Sequence, residues 1–183
     1  MLSIKTELEA AIKKFESALN KEELGKGIAR ALNKTIAGVR TDVVKDVRKV
    51  YKLKAGDVRK TLNLYKANAT RQEANMVSKD ARLGLYKFAA KQNKRGTSAA
   101  IKDSRKTIAH AFIATMKNGH VGVFIRTDKR DANNRQIIEE IDSISIPYAL
   151  NNESVAQTIY TSVSNRLANN LEHELSYILS KKN

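Results

Sequence analysis

Apolar residues first recur at Leu8, Ile12, Phe15 and Leu19, and these steps of four, three and four predict an amphipathic helix over Ile4–Leu19. Asn20, with Glu23 at the third helical position, makes a capping-box-like start for a second helix. That helix carries the stripe Leu24, Ile28, Leu32, Ile36, Val39, Val43, Val47 and Val50. From Ile28 its steps run four, four, three and repeat, an eleven-residue period that matches a nearly straight helix. At ~100° per residue, Arg30, Lys34, Lys45 and Arg48 fall on the opposite face, and Asp42 and Asp46 lie near the apolar edge. Gly56 and the charges after it set off a short third helix over Ala55–Leu62.

From Asn63 to Ile146 the pattern shortens and β-branched residues increase, which predicts a sheet. The clearest strands lie between Thr107 and Thr127, around Asn118-Gly119, the favoured centre of a two-residue type I′ turn. Such a turn sets Lys117 opposite His120, Met116 opposite Val121, Ala114 opposite Val123 and Phe112 opposite Ile125. One face then carries Phe112, Ala114, Met116, Val121, Val123 and Ile125, all apolar. Further candidate strands are Ala74–Lys79, Gly84–Phe88 and Ile137–Ile146. Lys91–Gly96 and Thr127–Gln136 are polar and read as hairpin tips or insertions.

From Asn152 the helical pattern returns, with the stripe Val155, Ile159, Val163, Leu167, Leu171, Leu175 and Ile178. Its steps of four drift around the helix, so the buried stripe should wrap. Helices, then a sheet, then a helix is an α+β order rather than alternating βαβ units. The expectation is a single α+β domain over 1–183, with a helical part at 1–62, a central antiparallel sheet at 63–150 and a closing helix at 151–183.

Composition adds three points. Thirty-four Lys and Arg against 19 Asp and Glu give a net charge of +15, which bears on partners: nucleic acid, an anionic membrane or an acidic protein surface. There is no Cys, which excludes disulfides and thiolate metal sites. No stretch approaches the ~20 apolar residues of a membrane span, and no signal peptide is legible, so a soluble protein of the cytoplasm is expected.

Catalytic chemistry finds little footing. His110, His120 and His173 are scattered and lack metal-ligand spacing, and there is no nucleophile elbow or P-loop. Glu139, Glu140 and Asp142 cluster, but nothing basic is fixed beside them by the sequence, so they read as a surface edge. No enzyme activity and no cofactor are expected. Phosphate neutralisation has more support. Lys91, Lys94, Arg95, Lys102, Arg105 and Lys106 in the sheet region join Arg30, Lys34, Lys45 and Arg48 as candidate contacts to DNA, all without sequence reading. Tyr86 and Phe88 precede the basic loop as a weak stacking signature, which core packing explains equally well.

Several segments, taken in order, resemble the minor tail protein Z family of long-tailed phages and prophages. They are Gly27-Ile-Ala-Arg-Ala-Leu-Asn33, then Val50-Tyr-Lys-Leu-Lys54, then Ala111-Phe-Ile-Ala-Thr-Met-Lys-Asn-Gly-His120. Ile144-Ser-Ile-Pro147 and Asn170-Leu-Glu-His-Glu-Leu175 complete the series. The resemblance spans most of the chain. It implies a structural virion component of the tail or head–tail neck, assembled in the host cytoplasm and acting in tail completion or head–tail joining. It further implies a homo-oligomeric ring, sixfold by analogy, around the DNA channel. The implied partners are a tail terminator, tail tube or head–tail connector protein and the passing genome, with no membrane. The basic loop after Phe88 and the loop Asp128–Asn134 vary in such proteins, and no role is carried onto them. The alternative reading is a small basic protein that binds DNA non-specifically as a free monomer.

Overall fold

The computed structural model describes residues 21–78 and 82–181. The expected helix over Ile4–Leu19 and the cap at Asn20 lie outside them. Four helices are described: α1 (Lys21–Val50), α2 (Ala55–Thr61), α3 (Ile146–Leu150) and α4 (Glu153–Ser180). Between α2 and α3 lie β1 (Leu62–Tyr65), β2 (Asn75–Ser78), β3 (Arg82–Gly84), β4 (Lys91–Asn93) and β5 (Gly96–Ala100). They are followed by β6 (Arg105–Ala109), β7 (Phe112–Thr115), β8 (Val121–Arg130), β9 (Gln136–Glu140) and β10 (Asp142–Ser145). The architecture is α+β, but its strands form four small sheets, ordered β1-β2, β10-β3, β4-β5-β6 and β7-β8-β9, in place of one central sheet.

The described residues divide into two compact units: 21–43, 62–77 and 156–181, and 44–61, 78 and 82–155. In the first, Leu24 and Ile28 of α1 are buried with Ile178 of α4, and Leu32, Leu171 and Leu175 pack around them. Gly27 permits this closeness, since a Cβ there would lie 2.5 Å from Ile178 Cδ1. Asn33 ties the β1–β2 connection to α1: its Nδ2 donates to Ala67 O at 2.9 Å and its Oδ1 accepts from Ala67 N at 2.8 Å. The expected apolar stripe of α4 is only half covered along much of its length, with Val163 exposed. The neighbouring row Ser162, Arg166, Asn170 and Glu174, also in steps of four, supplies the hydrogen bonds to α1.

The second unit is built around Tyr51, Val58, Phe88, Val123, Ile146 and Val155, each almost wholly buried. Burial of side chains this size contributes about 1.5–3 kcal/mol apiece. Burial also holds the Tyr51 phenol above its ordinary value, with Tyr148 adding to the rise and Asn152 opposing it through a hydrogen bond.

Three local expectations need correction. The Asn118-Gly119 turn is not a two-residue loop. Gly119 N donates to Met116 O at 2.9 Å, Met116 N donates to His120 O at 2.7 Å, and Gly119 sits at φ +81°. This is the three-residue loop whose glycine occupies the left-handed bulge position. The extra residue moves the register by one: Phe112 pairs with Phe124, Ile113 with Val123, Ala114 with Gly122 and Thr115 with Val121. Apolar side chains therefore occupy both faces, and Val123 and Phe124, which point to opposite sides, are both buried.

Gly84–Phe88 is not a strand beyond Gly84. Leu85–Lys87 forms a 3-10 turn, because the two buried residues, Leu85 and Phe88, are three apart and match its three-residue repeat. Ile137–Ile146 is broken at Ile141, where the chain passes from the β7-β8-β9 sheet to pair with β3. Ile146 then opens α3, with Pro147 in its first turn and Ser145 as N-cap.

Candidate functional site

The six basic residues of the sheet region all belong to the β4-β5-β6 sheet and its connections. β5, Gly96-Thr-Ser-Ala-Ala100, is buried throughout, and small side chains let its neighbours close over it. Register pairs Lys91 with Ser98, Ser98 with Thr107, Ala99 with Lys106 and Ala100 with Arg105. Opposed residues share a face, so Lys91 and Arg105 lie on one side of the sheet and Lys106 on the other. Lys94 and Arg95 form the exposed β4–β5 tip. Lys102 lies at the opposite end, its Nζ 5.6 Å from the centre of the Tyr51 ring. Arg105 turns inward, with Nη1 donating to Ser98 O at 3.0 Å and to Ser98 Oγ at 3.2 Å. The sequence groups six cations, and the fold distributes them over two faces and two ends of one small sheet.

The tip itself is firmly held. Gly96 has φ +149°, and a Cβ there would lie 2.1 Å from Ile108 O. Gln92 and Thr97 anchor β4 and β5: Thr97 Oγ1 lies 3.0 Å from both Gln92 Oε1 and Ala111 O, and Ile113 N donates to Gln92 Oε1 at 2.8 Å.

The helical cations divide differently. Arg30 Nε and Lys34 Nζ each donate to the Glu174 carboxylate at 2.6 Å. Tyr177 lies between Arg30 and Lys181, whose charged groups are 5.9 and 4.8 Å from its ring centre. Lys45 is exposed, and Arg48 Nε donates to Leu53 O at 3.3 Å.

Glu174 is not singled out by its sequence neighbours. The available signal is its place in the polar four-step row of α4, which matches the charged positions of α1. Glu140 has no basic neighbour in the sequence, yet His120 Nε2 lies 2.8 Å from its Oε2. Gly84 and Gly122 make room for that carboxylate, since a Cβ on either would sit 2.7 Å from Glu140 Oε1. This contact fastens the β7–β8 tip to β9. Among the described residues, no three His, Asp or Glu side chains form a group that could hold a metal ion. No described helix is long and apolar enough to cross a membrane.

What decides the family is the extent of one match. The sequence model of prophage minor tail protein Z (GPZ) matches residues 4–182. The chain belongs to the prophage minor tail protein Z family. Comparison with curated proteins gives no match, nor does comparison with solved structures. Membership makes the chain a structural component of a phage tail, and hence of the virion, in contact with other virion proteins. The Lys-Asn-Gly segment at 117–119 and the Ile-Pro pair at 146–147 are the hairpin tip and the start of α3 described above.

Proposed function

We propose that this minor tail protein acts in tail completion, joining tail to head as a subunit of a ring, sixfold by analogy with other neck proteins, around the DNA channel. The match over residues 4–182 carries the reading. The net charge of +15 supports it, because a cationic lumen lowers the free energy of a passing polyanion without reading its sequence. Lys91, Lys94 and Arg95 are the best-placed phosphate contacts, being exposed on the β4 edge and its tip. Arg30 and Lys34 are committed to Glu174 and Arg105 to Ser98, so these three reach DNA less freely. Tail terminator, tail tube or connector proteins would flank the ring.

Electron microscopy of intact virions, with this chain located by a label, tests the role. Density in a closed ring at the head-proximal end of the tail is expected. Normal, infectious particles assembled without the chain would overturn it. Tight duplex binding by the free monomer, with no place in the virion, would instead favour a DNA-binding protein.

A further inference from the structure

Two strands of the second unit present an open edge to solvent. β6 is outermost in the order β4-β5-β6 and β9 outermost in β7-β8-β9. Among the described residues neither outer edge is paired, and every residue but Ile108 in the one and Ile138 in the other is exposed. Unpaired strand edges are templates for pairing with another chain. These two are opposite in charge: β6 opens with Arg105-Lys106 and β9 closes with Glu139-Glu140.

The backbone phases agree. Ala100 N donates to Phe88 O at 3.0 Å, away from β6, so Arg105 opposite it is not hydrogen-bonded to β5. By alternation Arg105, Thr107 and Ala109 turn their N–H and C=O groups to the open edge. On β9, Ile137 O accepts from Thr127 Oγ1 at 2.9 Å, and just beyond the strand Ile141 N donates to Val123 O at 2.8 Å. Odd-numbered residues there face β8, which leaves Gln136, Ile138 and Glu140 facing outward. An antiparallel pair must join outward residues to outward residues. The register Arg105–Glu140, Thr107–Ile138, Ala109–Gln136 does so. It also sets Lys106 opposite Glu139 and Ile108 opposite Ile137 on one shared face. A slip of two residues keeps the hydrogen bonds but separates the charges.

We propose that β9 of one copy adds to β6 of the next in this register, extending a sheet across the subunit boundary. The inference rests on the reading of the chain as a ring subunit and gives that ring a surface. The two edges differ, so the contact is head-to-tail, and an open chain of copies keeps one free edge of each kind until the ring closes. Main-chain hydrogen bonds supply the adhesion and the charges fix the register. Arg105 and Lys106 are thereby assigned to the neighbouring subunit rather than to DNA.

The test uses the full chain. Lys106 and Glu139 are exposed, so reversing either charge leaves the fold intact by circular dichroism. By sedimentation velocity over a concentration series, Lys106→Glu and Glu139→Lys each weaken self-association by about tenfold or more, since like charges then face each other. An equimolar mixture of the two, or the double variant, restores it. The chain has no cysteine, so a second readout is clean. Ile108→Cys mixed with Ile137→Cys gives a disulfide-linked dimer on mild oxidation, and neither gives one alone, because non-hydrogen-bonded antiparallel pairs bring side chains closest. Wild-type association that both charge reversals leave unchanged, with no mixed disulfide, overturns the strand pairing while the ring reading stands. A wild-type chain that stays monomeric at every concentration and on the tail overturns both.

Discussion

Glu174 lies between two cations that reach it from α1: its Oε2 accepts from Arg30 Nε and its Oε1 from Lys34 Nζ, both at 2.6 Å. Glu174 is 3% exposed, while the two cations stay about half exposed. Burial pushes its pKa up, but the hydrogen bonds and charges of Lys34 and Arg30 outweigh burial and hold it below the ordinary 4.5. A carboxyl whose folded value is depressed stabilises fully above its unfolded value and loses that contribution as pH falls through the folded one. Glu174→Gln should therefore cost about 1–2 kcal/mol at pH 7, the lower end for charge-assisted bonds because solvent competes for both cations. The gap from wild type should begin to narrow as pH falls below about 4.5 and keep shrinking as the lower folded value is passed. Urea titrations at pH 7 and pH 3.5 check this, and a gap independent of pH would contradict it.

Asn33 satisfies both backbone groups of Ala67, which is buried. Asn33→Ala removes donor and acceptor together and leaves two buried main-chain groups without partners. A loss of about 1–3 kcal/mol is expected. Asn33→Asp keeps the acceptor but sets a carboxylate against the Ala67 carbonyl, so it should recover little. Hydrogen exchange at the Ala67 amide gives the local readout, and its protection should fall more than that of the α1 amides.

Two glycines at positive φ should respond very differently to alanine. At Gly119 nothing lies within 4 Å of a Cβ, so the substitution meets only backbone strain of about 1–2 kcal/mol. At Gly96 the Cβ would overlap Ile108 O at 2.1 Å and press on Ala109 Cα at 3.0 Å, and these backbone atoms cannot turn aside. Gly96→Ala should disrupt the β4-β5-β6 sheet, read as a lower thermal midpoint than Gly119→Ala by at least several degrees.

These glycines also mark how far a local sequence pattern carries. Periodicity places α1 and α4 to within a residue or two of the described ends, because a helical face is a local pattern, and the break at Gly56 sets off α2. Asn118-Gly119 correctly locates a hairpin, but the same dipeptide serves a two-residue loop and a three-residue loop with a glycine bulge, and only backbone hydrogen bonds distinguish them. The one-residue slip exchanges the faces of the whole strand. Glu174 escapes for a different reason: its partners lie 144 and 140 positions away, beyond any local pattern. The basic cluster is legible as composition, but not as geometry, since strand register divides Lys106 from Lys91 and Arg105.

That division allows the proposed DNA contact to be tested apart from assembly. Lys94 and Arg95 sit at a tip away from the Lys106 end of β6 and are exposed. If they neutralise phosphates of duplex DNA threaded through the ring, Lys94→Ala with Arg95→Ala should leave self-association unchanged. The plot of log K against log salt should flatten by about 1.8, or ~0.9 for each phosphate no longer neutralised. Lys117→Ala, an exposed cation at the β7–β8 tip, serves as a control for a charge outside this sheet, and its slope should match wild type. Fluorescence anisotropy on a short duplex of arbitrary sequence supplies the measurement, repeated on a second sequence. Weakening that differs between the two sequences would point to base contacts, which a lumen lined by lysine and arginine does not make. A slope unaltered by the double substitution would remove this tip from the channel wall.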